Sequence, residues 1–139
     1  MHDTEKYKIL PIRSAAILTG SYVAGTVLGP VETTSGVPAA HPSRYNQLTI
    51  LASFTIGSLT NSIIKIEFSH DGVTYYQETY DSSPSSGVIT ESLGTRKMTA
   101  TGNYRITIPI KDNYIKISAI GTGTVTGSSL KLDAVLGTV

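Results

Sequence analysis

The sequence contains no cysteine, which excludes disulfide bonds, thiolate metal centres and cysteine nucleophiles and leaves stability to packing. Charge is scarce too. Asp, Glu, Lys and Arg make up 15% of the 139 residues, against about 25% in an average soluble domain. With 11 basic and 10 acidic residues the net charge is +1. No broad cationic field is there to neutralise phosphates, and nucleic acid is set aside as a partner. The three histidines, His2, His41 and His70, lack the HxH or HExxH spacing that brings two imidazoles onto one metal ion. Long apolar runs are also missing. The stretch "SAAILTGSYVAGTVLGPV" at 14–31 is broken by glycines, hydroxyls and Tyr22, and "MHDTEKYK" at the start mixes acids with bases. Neither a membrane span nor a signal peptide fits, so the chain is expected to have no membrane partner and to be made in the cytoplasm.

No segment carries an apolar stripe of three helical turns; apolar residues instead occupy every second position, the period of a strand with one buried face. In "LTILASFTI" the inward set is Leu48, Ile50, Ala52, Phe54 and Ile56, and in "IIKIEFS" it is Ile64, Ile66 and Phe68. "YRITIPI" gives Tyr104, Ile106, Ile108 and Ile110, "YIKISA" gives Ile115, Ile117 and Ala119, and "LKLDAVL" gives Leu130, Leu132, Ala134 and Leu136. The turn signals between them, among them Gly57-Ser58, Asp71-Gly72, Asp112-Asn113 and Gly127-Ser128, are short enough to make neighbours antiparallel. Two proline-bearing stretches without alternation, 33–43 and 81–87, read as crossing loops or exposed lobes, and Pro109 inside a strand pattern reads as an edge. This predicts a single-domain, all-β antiparallel sandwich of jelly-roll or Greek-key topology over residues 9–139, preceded by an N-terminal arm at 1–8.

Catalytic machinery is hard to assemble from these residues. The ten acidic residues are mostly isolated on outward strand positions or in loops, and bases are few. "GTGTVTG" at 121–127 lacks the GKS/T ending of a phosphate loop and reads as a turn feeding the last strands. The chain is therefore expected to have no catalytic residues, no metal and no cofactor. "SHDGVTY" at 69–75 asks for more attention. The Asp71 carboxylate is placed to accept backbone N–H groups and Gly72 to supply a positive φ, a structural turn. Its spacing is similar to the "SxDGxTW" hairpin of discoidin-like sandwich domains. Beyond it, alternation puts Tyr76, Glu78 and Tyr80 on one face and Val73, Tyr75 and Gln77 on the other. Two tyrosines about 13 Å apart fit cross-strand packing, a subunit interface or a platform for sugar rings.

The uncharged start "SAAILTGSYVAGTVLGPV", the central "LTILASFTIGSLTNSIIKIEFSHDGVTYYQET" and the ending "YIKISAIGTGTVTGSSLKLDAVLG" together resemble small β-sandwich virion proteins of tailed bacteriophages. The resemblance implies a non-enzymatic structural protein located in the virion. Its implied role is head decoration or cement, bound to the major capsid protein or to other virion proteins as a symmetric oligomer, with a trimer favoured. Neck and tail positions are also seen on such folds. In that setting Ile9, Leu10, Ile12, Val37 and Pro38 would anchor the arm and the 33–43 loop on the shell, with Tyr76 and Tyr80 as further interface residues. The alternative from a different class is a carbohydrate-binding or adhesion module using Tyr75, Tyr76 and Tyr80, which keeps a glycan ligand open.

Overall fold

The computed structural model describes residues 7–29, 45–77, 79–85, 88–93, 95–110 and 112–137. In chain order the strands are β1 (Tyr7–Ala16), β2 (Val23–Ala24), β3 (Gln47–Thr55), β4 (Leu59–Ser69), β5 (Tyr76–Gln77) and β6 (Thr79–Ser85). They continue with β7 (Val88–Leu93), β8 (Thr95–Met98), β9 (Gly102–Pro109), β10 (Tyr114–Gly123) and β11 (Ser129–Gly137). One sheet has the order β1-β11-β3-β9 and the other β2-β10-β4-β5, with β8 also paired to β4. All these pairings are antiparallel. From β1 to β4, and again from β9 to β11, each strand lies in the opposite sheet from the one before it. That interleaving is the connectivity of a jelly roll.

The sheets meet because each turns one apolar face inward. Leu48, Ile50, Leu130, Leu132, Ala134 and Leu136 of the first sheet share a single core cluster with Ile64, Ile66, Ile115, Ile117 and Ala119 of the second. Burying each of the larger side chains contributes about 1.5–3 kcal/mol before chain entropy is subtracted. Pro109 sits on β9, an edge strand, where a missing N–H interrupts no central ladder. At one end of the sandwich two turns interlock. Gly57 (φ 56°) and Gly127 (φ 76°) both hold left-handed backbone, and the Ser58 amide donates to the Thr126 carbonyl at 2.9 Å.

β1 shifts register against β11 between Pro11 and Arg13 and again between Arg13 and Ala16. Arg13 repairs the gap. Its Nε donates to the Leu130 carbonyl at 3.0 Å, and its Nη2 donates to those of Ala16 (3.2 Å) and Ile17 (2.7 Å). Partial burial lowers the pKa of this guanidinium from its ordinary value, yet it stays charged at neutral pH.

Two expectations are revised. The stretch 81–87, read as a loop or lobe for want of alternation, contributes residues 81–85 to β6, which pairs with β7 as a two-stranded sheet. The residues of this hairpin carry no regular apolar alternation, so its sequence gives no strand signal. Its register breaks between Ser82 and Ser85, the interval that holds Pro84. In addition, β1 begins at Tyr7, inside the segment read as a free arm.

Candidate functional site

The most fully built surface feature is the turn after β4. Asp71 Oδ1 accepts from the amides of Val73 (2.8 Å) and Thr74 (2.9 Å) and from the Ser69 hydroxyl (3.0 Å), while Ser69 Oγ accepts from the Gly72 amide at 2.8 Å. Gly72 takes φ 78°, and a Cβ there would come within 2.9 Å of the Tyr114 ring. Across the turn, His70 Nδ1 lies 3.2 Å from Asp112 Oδ1, and Asn113 Nδ2 donates to the His70 carbonyl at 3.4 Å. This scaffold holds up Val73, 81% exposed, and Tyr76, 70% exposed.

Hydrogen bonds from Thr74 and Val73 and from the Ser69 hydroxyl hold the Asp71 carboxyl below the usual carboxylate range. A pKa depressed in the folded state means a contribution to stability that is complete above the unfolded value of about 4 and disappears as the pH falls through the folded value. Asp71→Asn is therefore expected to flatten the acid limb of the stability–pH profile below about pH 4. Urea midpoints collected from pH 2 to 6 check this, and an unchanged acid limb would refute it.

The proposed tyrosine platform does not form as one strand. Tyr76 pairs with Phe68 in β5, whereas Tyr80 belongs to β6 in the separate hairpin, and Glu78 lies outside the described residues. Tyr75 lies under an ammonium, with Lys116 Nζ 4.2 Å from its ring centroid. Lys116 and Lys65 approach Glu67 Oε1 at 3.9 and 3.7 Å, and Lys65 Nζ stands 4.3 Å from the Tyr22 ring centroid. On the outer face of the second sheet these five side chains form one chain: Tyr22, Lys65, Glu67, Lys116 and Tyr75. Desolvation, then the Tyr114, Asp71 and Glu67 charges, push the Tyr75 phenol up. Sequence reading missed this network because its cation–π contacts depend on the β4–β10 register and on where residue 22 crosses β10; only the K-x-E spacing at 65–67 hinted at it.

The candidate anchors separate. Ile9 is 66% exposed, and Leu10 packs against the core from a partly buried position. Ile12, 3% exposed, is a core residue, because alternation along β1 turns it inward and its carbonyl accepts the Thr26 amide at 2.9 Å. It is unavailable for docking, contrary to expectation. Val37 and Pro38 lie outside the described residues. On the outer face of the first sheet the register aligns Ile9, Val135, Thr49 and Thr107 in one row and Pro11, Asp133, Leu51 and Arg105 in the next. A shallow depression of about 300 Å³ lies there, lined by Gln47, Thr49, Leu51, Arg105, Val135 and Gly137. Among the described residues, no three His, Asp or Glu side chains converge in a way that could hold a metal ion.

Fold and surfaces together define a jelly-roll sandwich with a hydrogen-bonded, apolar-tipped turn after β4. Comparison of the chain with family models, with curated proteins and with solved structures finds no match.

Proposed function

We propose that the protein is a structural docking protein of a bacteriophage particle, without enzymatic activity. It attaches to the capsid shell or a neighbouring virion protein as a decoration or cement component and acts as a symmetric oligomer. The phage setting comes from the sequence resemblance, and the docking role from the Asp71 turn: the two most exposed large hydrophobic side chains of the described surface, Val73 and Tyr76, lie within and just after its four-bond scaffold. A preordered loop loses little entropy on contact, and a desolvated aromatic anchor commonly dominates an interface. Ile9 supplies a further exposed apolar group on β1.

Particles assembled with Val73→Asp or Tyr76→Ala are expected to lose affinity for the chain about tenfold or more while the isolated variants keep their melting temperature. Occupancy measured by imaging particles titrated with each variant is the check; full occupancy by both variants sinks the assignment. The exposed Tyr76 ring also favours a second reading, a glycan-binding module. That reading requires the chain to be retarded in a polysaccharide gel and Tyr76→Ala to abolish the retardation.

A further inference from the structure

We propose that the outer face of the β1-β11-β3-β9 sheet binds a second copy of this chain about a two-fold axis running along β3 over Leu51. The surface is distinct from the Asp71 turn. Leu51, 40% exposed, sits at its centre, with Asp133 beside it on β11 and Arg105 beside it on β9, at the same level in the ladder. Neighbouring strands are about 4.8 Å apart, so the acid and the base stand about 10 Å from each other, one on each side of the leucine.

A two-fold axis along β3 exchanges the positions of β9 and β11. It sets Leu51 on Leu51 of the second copy and brings each Arg105 over the other copy's Asp133, so one patch complements itself in charge and in shape. The side chains fit this use. Arg105 is exposed and has no hydrogen bond or ion pair among the described residues, whereas Asp133 has a single one, to Lys131 at 3.7 Å. Elsewhere on the face the Thr49 and Thr107 hydroxyls pair with each other at 3.1 Å, Val135 and Pro109 add apolar area, and Lys131 on β11 is a further exposed cation. Isologous pairing of this kind gives a dimer, and not the trimer that the phage resemblance implies.

Sedimentation equilibrium of the full 139-residue chain tests the pairing. The wild type is expected to dimerise reversibly, and Arg105→Asp and Asp133→Arg are each expected to raise the dissociation constant at least about tenfold, because each places like charges in contact. Combining the two substitutions restores the complementarity and is expected to recover most of the lost affinity. Leu51→Asp, a change at the symmetry axis, gives an independent disruption should either charge variant fail to fold. A wild type that stays monomeric up to about 1 mM, a threefold mass, or single charge reversals that leave the dimer intact would overturn the proposal. So would a double exchange that stays dissociated while both singles are folded. None of these results bears on particle attachment through Val73 and Tyr76, which the occupancy measurement tests separately.

Discussion

Gly57→Ala is expected to remove on the order of 3 kcal/mol of folding stability, a large fraction of the roughly 5–15 kcal/mol margin of a typical domain. Two costs combine. At φ 56° an L side chain enters the left-handed region, a penalty of about 1–2 kcal/mol for a residue with a Cβ. The added methyl would also meet the opposing turn, with Thr126 O at 2.6 Å and Gly127 O at 2.7 Å. Those are backbone atoms, so relief requires the two turns to separate and the Ser58–Thr126 hydrogen bond to break. Gly20→Ala is the control, since a Cβ there meets nothing within 4 Å. Its effect is expected to stay within about 0.5 kcal/mol. Urea unfolding of both variants decides, and a loss below about 1 kcal/mol for Gly57→Ala would show that the interlocked turns yield easily.

Ile66→Ala is expected to cost about 3–4 kcal/mol, whereas Ile63→Ala, three positions earlier on the same strand, is expected to cost about 1 kcal/mol. The difference comes from the face each residue occupies. Ile66 is fully buried between the sheets, and its truncation leaves a cavity bounded by a close-packed core. Ile63 pairs with Ile120 on the outer face and is only partly covered. Equal losses at the two sites would mean that something covers the outer face as completely as the core.

Much of this arrangement can be read from residue order. The alternation in "LTILASFTI" and "LKLDAVL" places Leu48, Ile50, Leu130 and Leu132 inward, as found, because a pleated strand with one wet face has no other way to dispose of them. "SHDGVTY" discloses its hydrogen bonds for a similar reason: a short carboxylate before a glycine acts on amides within a few residues, so no distant partner is needed. What depends on register stays hidden. Nothing in the order of residues shows that Lys116 covers Tyr75, or that Asp133 and Arg105 flank Leu51, because those relations arise between strands separated by tens of residues. The β6–β7 hairpin escapes notice for the opposite reason. Its own residues show no regular apolar period, so nothing local marks it as a strand pair.

β5 and β8 share one edge of β4: the first pairs at Glu67 and Phe68, the second from Ser62 to Lys65, and the β6–β7 hairpin departs between them. The chain thus leaves the wall at one rung and rejoins it at the next, like a detour with adjoining exit and entrance. Lengthening the detour changes the closure cost only logarithmically and removes no rung of the ladder. Foreign sequence grafted between residues 79 and 93 is therefore expected to leave the β4 ladder with its own bonds.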